Sequence, residues 1–361
     1  MSRSILNFGA GPSMLPEAIM LQAQAEFLDW QGTGKSVMEI GHRTDDFMAI
    51  ADHAEQSLRE VLTVPDDYHV LFLAGGATQQ FSVIPMNLLQ NKASADYLFT
   101  GVWSAKAMQL AKRYCDINIV CTAEQSNFIS IPDKDEWDLD PNAAYVYYTD
   151  NETIGGLEFQ SVPDVGSIPL VTDMTSSILS KAIDVSKFGI IFAAAQKNIG
   201  PAGMTILIVK KSILGETLGF TPDLFDYSLQ AKEKSMLNTP PTFNWYMAGL
   251  MFDWVKQQGG LAELEKSNQR KSSLLYDFID ASNFYQNVIN VSDRSKMNVV
   301  FSLKDENLNT DFLQQAESNG LHALKGHRLA GGMRASLYNA MPESGVKQLV
   351  DFMQEFERTQ C

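Results

Sequence analysis

Phe188-Gly-Ile-Ile-Phe-Ala-Ala-Ala-Gln-Lys-Asn-Ile-Gly-Pro-Ala-Gly-Met-Thr-Ile-Leu-Ile-Val209 holds two apolar runs separated by a short polar turn. Gly189–Phe192 and Thr205–Val209 lack polar alternation, so they read as strands covered on both faces, and Gly200-Pro201 between them cannot continue a helix. Upstream, His69–Leu73, Ala95–Phe99, Asn118–Cys121, Ala144–Tyr148 and Pro169–Thr172 are similar short runs rich in β-branched or aromatic residues. Asp52–Leu62 and Ser104–Tyr114 show apolar positions at helical spacing instead. Strands alternating with helices imply an α/β fold with a mainly parallel, seven-stranded sheet between about residues 70 and 210. A helix beginning near Thr242 is broken by Gly259-Gly260, after which Leu261–Ser282 reads as another helix leading into an α+β tail. The expected division is a segment 1–15 packing with the small domain, a large domain 16–260 and a small C-terminal domain 261–361.

With 361 residues and 45% apolar content, the chain can bury a large core. No apolar run approaches the ~20 residues needed to span a bilayer. The start, Met1-Ser-Arg-Ser-Ile-Leu-Asn-Phe-Gly, lacks the apolar centre of a secretory signal, so a cytoplasmic protein is expected. Cys115, Cys121 and Cys361 form no CxxC pair and point to neither a disulfide framework nor a metal site. A net charge of −15 repels nucleic acid and anionic membranes, so any anion site has to be a local basic cluster.

Lys197 lies just past one buried run, near the interior. Burial disfavours the ammonium, so a useful fraction is the neutral amine that attacks an aldehyde to form a Schiff base. Asp173 ends the run Ile168–Thr172, placing a carboxylate at another strand end. A lysine and a buried aspartate together suit pyridoxal phosphate, whose ring nitrogen must stay protonated for the ring to act as an electron sink. The competing reading of Asp173 is an N-cap for a following helix.

Ligands of open parallel sheets bind beyond the carboxyl ends of the strands, so the residues there are the candidates for contact with this cofactor. Ala74-Gly75-Gly76-Ala77-Thr78 precedes a helix and offers backbone N–H groups to a phosphate, though a plain glycine turn reads the same way. It is neither GxGxxG nor GxxxxGK[ST], which disfavours an NAD-dependent dehydrogenase or a nucleotide triphosphatase. Trp103 opens a helix where its face could stack on a pyridine ring or simply fill a core. Thr153, in Asn151-Glu-Thr-Ile-Gly-Gly156, offers a hydroxyl toward the ring oxygen. His42-Arg43, His327-Arg328 and Arg334 concentrate cationic donors beside glycines, which suits a carboxylate or phosphate substrate and equally a surface ion pair. A non-catalytic binding protein could keep these arginines but would have no use for Lys197 paired with Asp173.

Six stretches carry a family resemblance: Asn7-Phe-Gly-Ala-Gly-Pro12, Ser36-Val-Met-Glu-Ile-Gly-His-Arg43, Ala195-Gln-Lys-Asn-Ile-Gly-Pro-Ala-Gly203, Asn238-Thr-Pro-Pro-Thr-Phe243, Gly320-Leu-His-Ala-Leu-Lys-Gly-His-Arg328 and Gly331-Gly-Met-Arg-Ala-Ser-Leu-Tyr-Asn-Ala-Met-Pro342. Over essentially its full length the chain resembles the phosphoserine aminotransferases, fold-type I pyridoxal-phosphate enzymes. The resemblance implies transamination of 3-phosphohydroxypyruvate with L-glutamate in serine biosynthesis, and in some members amination of 3-hydroxy-2-oxo-4-phosphonooxybutanoate on the pyridoxine route. It implies one pyridoxal 5'-phosphate per subunit, joined as a Schiff base to Lys197. Asp173 then partners the ring nitrogen and Trp103 stacks on the ring. Thr153 and Gln196 make contacts around the ring, and Ala77 and Thr78 form the phosphate cup. It further implies a homodimer in which Asn238 and Thr239 reach the opposite subunit's cofactor phosphate. Arg43 resembles the binder of the substrate carboxylate, and His42, His327, Arg328 and Arg334 resemble the substrate-phosphate cluster. Ala10 and Thr78 depart from some members, which carry serine and arginine there.

Overall fold

The computed structural model describes residues 5–360; Met1–Ser4 of the expected N-terminal segment and Cys361 lie outside the described residues. A short strand β1 (Leu6–Asn7) and a helix α1 (Glu17–Glu26) precede α2 (Asp45–Leu62). The Thr44 hydroxyl caps α2 by accepting the Phe47 N–H, and Asp45 and Asp46 face the positive end of the helix. The helix begins seven residues ahead of the stretch read from the sequence: its apolar face already starts at Phe47, Ile50 and Ala51, and only the charged turn of Asp45 and Asp46 lacks an apolar signal.

Next along the chain come β2 (Tyr68–Ala74), α3 (Ala77–Leu88), β3 (Ser94–Phe99), α4 (Val102–Ala111), β4 (Asp116–Thr122), β5 (Val146–Thr149), the hairpin β6 (Asn151–Glu152) and β7 (Leu157–Glu158), β8 (Leu170–Asp173), β9 (Ile190–Ala194) and β10 (Met204–Lys210). Seven of these strands form one sheet in the order β2-β10-β9-β8-β5-β3-β4. Each strand recognised in the sequence is one of them. The β3–β4, β3–β5, β5–β8 and β8–β9 pairs are parallel, and β10 runs antiparallel to both neighbours. Hence every strand but β10 sends its carboxyl end to the same edge.

Successive residues of a strand point to opposite faces, and here both faces are covered. Ile191 and Ala193 of β9 join a core with Phe47, Ala54, Trp245 and Phe252. Ile190 and Phe192 join another core with Phe81, Ile84, Tyr147 and Met108. This two-sided burial explains why the strands read as unbroken apolar runs.

The remainder contains α5 (Tyr227–Lys232), α6 (Thr242–Gln257), α7 (Leu261–Ala281), β11 (Tyr285–Gln286), β12 (Asn298–Leu303), α8 (Asn309–Ser318), β13 (Leu321–His322), β14 (Met333–Ser336) and α9 (Glu343–Gln360). Gly259 and Gly260, both at positive φ, separate α6 from α7. Strands β11, β12 and β14 form a small antiparallel sheet, while β1 pairs in parallel with β13. A third core joins Phe8 to Leu275, Phe301, Phe312, Leu349 and Phe356 of this C-terminal part. No helix among the described residues is long and apolar enough to cross a membrane.

Candidate active site

Lys197 sits in the turn after β9 and is 7% exposed. The N-terminal segment clasps its backbone: the Ser13 hydroxyl donates to the Lys197 carbonyl at 2.6 Å and the Ser13 N–H donates to the Gln196 carbonyl at 2.9 Å. The side chain is therefore held from behind, and Nζ donates forward to Thr153 Oγ1 at 2.5 Å. Burial pushes the Lys197 ammonium down to about 7; the Arg334 charge adds to this, while Asp173 and Glu152 oppose it. Such an amine is partly neutral near pH 7 and can attack a carbonyl.

Asp173 ends β8 and is buried, with Oδ1 accepting the Thr175 N–H at 2.8 Å. Beyond Asp173 the chain makes a series of turns through Ser177 and Ser180, so the N-cap reading fails for lack of a helix to cap. Burial raises its carboxyl pKa, against the Thr175 hydrogen bonds and the Lys197 charge. A cationic ring nitrogen brought to this carboxylate would return it to the ionised form and keep its own proton.

Both residues line a cavity of about 150 Å³, shared with Ala77, Thr78, Trp103, Thr153 and Gln196. Thus seven residues singled out for the cofactor in the sequence come together. At one end is the start of α3, capped by Gly76 without a side-chain hydrogen bond, so the N–H groups of Ala77 and Thr78 have no intrahelical acceptor. Gly75 just before it has φ +113°, a backbone conformation that favours glycine in this tight turn. The indole of Trp103 forms part of the wall, and its Nε1 is buried without a hydrogen-bond partner. An anion site, a flat wall, a carboxylate and a reactive amine within this volume fit a phosphorylated pyridine aldehyde.

The structure does not bring every chosen residue to the cavity. Asn238 and Thr239 are exposed, and Asn238 lines a neighbouring cavity of about 300 Å³ with Gly75 and Gln79. Arg43 is exposed just before α2, and neither it nor His42 lines the lysine cavity. Arg334 is near: its Nη1 donates to the Thr153 carbonyl at 3.4 Å, and its Nε is buried without a partner. His327 is held below the usual histidine range by partial burial and by the charges of Arg334 and Arg328, which places these three residues in one field. Arg328 itself is exposed. Ala10 offers its carbonyl to the Tyr338 hydroxyl at 3.0 Å.

Sequence reasoning missed Ser13, Asn151 and Glu152. Asn151 Nδ2 donates to Ser176 Oγ at 2.9 Å and to Asn298 Oδ1 at 2.8 Å, tying the cavity wall to β12. These side chains act on other residues and carry no chemical signature of their own; only the position of Asn151-Glu152 beside Thr153 could have drawn attention to them.

A buried amine and a buried carboxylate at the carboxyl edge of a mainly parallel sheet define a class of aminotransferase-like proteins, and residues 5–349 match the family described as aminotransferase class-V. The chain belongs to that family, within its phosphoserine aminotransferase branch: it is 53% identical over 358 residues to the phosphoserine aminotransferase of Pseudomonas putida, covering 99% of each chain. The solved structure of phosphoserine aminotransferase from Bacillus circulans subsp. alkalophilus superposes with a TM-score of 0.97 at 42% identity, covering 100% of both chains. The pyridoxal-phosphate-bound phosphoserine aminotransferase of Trichomonas vaginalis gives a TM-score of 0.93 at 41% identity, over 97% of this chain and 99% of that one.

Proposed function

We propose that this chain catalyses the reversible, pyridoxal-phosphate-dependent transamination of 3-phosphohydroxypyruvate with L-glutamate, giving O-phospho-L-serine and 2-oxoglutarate for serine biosynthesis. The observation that carries this reading is Lys197, an amine of depressed basicity aimed into a cavity shared with Asp173, Trp103 and the free end of α3. Bound pyridoxal phosphate supplies an electron-withdrawing ring that stabilises the carbanion left when an amino acid loses its α-proton. Lys197 would hold the cofactor covalently, and its amine is the base placed to take the proton from the substrate α-carbon. Asp173 holds the ring-nitrogen proton, and Thr153 together with Gln196 contacts the ring. The α3 amides of Ala77 and Thr78 receive the phosphate.

The substrate α-carbon must lie beside Lys197 Nζ, so its carboxylate belongs with the cation that lies there. Arg334 is that cation, because it is bound to the Thr153 carbonyl and its charge acts on Lys197. This departs from the sequence reading, which gave the carboxylate to Arg43 and the phosphate to Arg334. His327 and Arg328 remain for the distal phosphate. His42, Arg43, Asn238 and Thr239 do not line their own chain's lysine cavity; in this reading they serve the site of a second copy in a homodimer. We place the enzyme in the cytoplasm, with residues 16–260 holding the cofactor and 261–361 as the small domain joined by segment 1–15. The longer phosphorylated 2-oxo acid of pyridoxine biosynthesis is a second substrate in this reading, since it differs by one added carbon bearing a hydroxyl.

The test is the half-reaction of purified holoenzyme with L-glutamate, phosphoserine and serine, followed by visible absorbance. Phosphoserine and glutamate should react, with serine far slower; a protein indifferent to the phosphate would sink the reading. Arg334→Ala should lower kcat/KM for phosphoserine and glutamate by similar factors, on the order of 100-fold for a lost charge-assisted pair. A loss confined to phosphoserine would return Arg334 to the phosphate.

A further inference from the structure

Glu152 is 1% exposed and does not line the cavity, yet it bonds one residue that does, Trp103, and adjoins another, Thr153, in the chain. Its Oε2 accepts the Trp103 N–H at 2.9 Å. Its Oε1 accepts the Ser104 N–H at 2.9 Å and the Ser104 hydroxyl at 2.7 Å. The Ser104 oxygen in turn accepts the Thr100 and Gly101 N–H groups at 3.0 and 2.9 Å. The first turn of α4 is therefore capped from β6, across the sheet edge, because its own N-cap residue Gly101 has no side chain. A Cβ at Gly101 would come within 2.5 Å of Glu152 Cδ, so glycine is what lets the carboxylate reach the helix.

All three groups that meet this carboxylate donate to it. These donors favour the ionised carboxylate, and burial works against them by pushing its pKa upward. The next residue along the chain, Thr153, receives the Lys197 ammonium. Trp103, Glu152, Thr153 and Lys197 form one connected frame spanning the width of the cavity from α4 to the turn after β9.

We propose that Glu152 is a positioning residue for the transamination: it fixes Trp103 against the cofactor ring and keeps a buried negative charge behind that wall. This rests on the pyridoxal-phosphate reading of the cavity. Glu152→Gln conserves volume but leaves one oxygen for two sets of donors, so either Trp103 or the Ser104 pair faces an NH₂ group. It also removes the anion, which disfavours the cationic form of the Lys197 nitrogen.

The experiment measures pyridoxal phosphate binding to cofactor-free protein, together with the pH midpoint of the visible band after loading. Glu152→Gln should raise the dissociation constant by about 10- to 100-fold, the loss expected for a buried charge-assisted hydrogen bond, and lower the pH midpoint by about half a unit. Glu152→Asp keeps the charge one methylene short, so it should weaken binding while leaving the midpoint in place. Ser104→Ala leaves the charge and both backbone bonds, so it should weaken binding least and also leave the midpoint unmoved. If Glu152→Gln does not fold, the Asp and Ala variants decide: binding weakened in that order supports the proposal, and wild-type binding in both overturns it. A folded Glu152→Gln protein with unchanged affinity and unchanged midpoint also overturns it. Wild-type protein that fails to take up pyridoxal phosphate would instead refute the proposed function.

Discussion

Burial depresses two lysines in this protein to about 7, Lys197 and Lys271, and Lys197 lines the cavity shared with Asp173. Lys271 Nζ donates to the carbonyls of Leu337, Tyr338 and Met341 at 2.9, 2.9 and 3.1 Å, an arrangement that uses three N–H bonds and so favours the ammonium. Lys197 has one hydroxyl partner and an open side, so it can give up its proton and then use the lone pair. At pH 7 an ordinary lysine is neutral in roughly one molecule in 3,000, against about half for one titrating near 7. Deprotonation frees the nucleophile, so the rate of pyridoxal phosphate capture by cofactor-free protein should rise tenfold per pH unit up to about 7 and level off above 8. Stopped-flow absorbance over pH 5–10 checks this; a midpoint near 10 would show that Lys197 keeps its proton in the folded protein. Lys197→Ala should abolish capture and turnover at every pH.

The start of α3 is an element that works through its backbone alone. Its first-turn amides and the aligned peptide dipoles make a positive end, and Gly76 leaves that end uncovered. A carboxylate placed there mimics the phosphate, so Thr78→Glu should hold or slightly raise the melting temperature of the cofactor-free protein while weakening pyridoxal phosphate binding by at least about tenfold. Weaker stability with intact binding would place the phosphate elsewhere. The sequence made α3 legible because Gly75-Gly76 stands between an apolar run and a helix, and it made the strands legible because both faces of the sheet are covered. It did not reveal that β10 runs against its neighbours, since strand direction is set by pairing partners distant in the chain. The caps of α2 and α4 were hidden for related reasons: one lies in a charged turn, and the other is supplied by Glu152 from another element. Of the site, residues with reactive groups could be read from type and position. Which arginine the fold carries to Lys197 could not, because Arg334 reaches Thr153 from a strand distant in the chain.

At the scale of the whole molecule, a single chain exposes the residues it needs least in water. Met20, Leu21, Phe27, Leu28 and Met38 are all exposed, Leu28 at 79%, and they fall in the stretch leading to His42 and Arg43. The Arg43 guanidinium makes no hydrogen bond or ion pair among the described residues, and it stands outside its own cavity. A second copy covering these apolar side chains would carry Arg43 toward the partner's site, as the proposed dimer requires. Shared sites behave differently from sites built by one chain when two variants are mixed. Lys197→Ala and Arg43→Ala homodimers each lack one group in both sites. A mixed dimer has one site missing both groups and one site intact, with Lys197 from one chain and Arg43 from the other. Random pairing makes half the dimers mixed, so co-refolding equal amounts should restore about a quarter of wild-type activity from two nearly inactive proteins. Activity that stays at the level of the separate variants, in a mixture shown by mass spectrometry to contain the mixed dimer, would mean that Arg43 does not complete the partner's site.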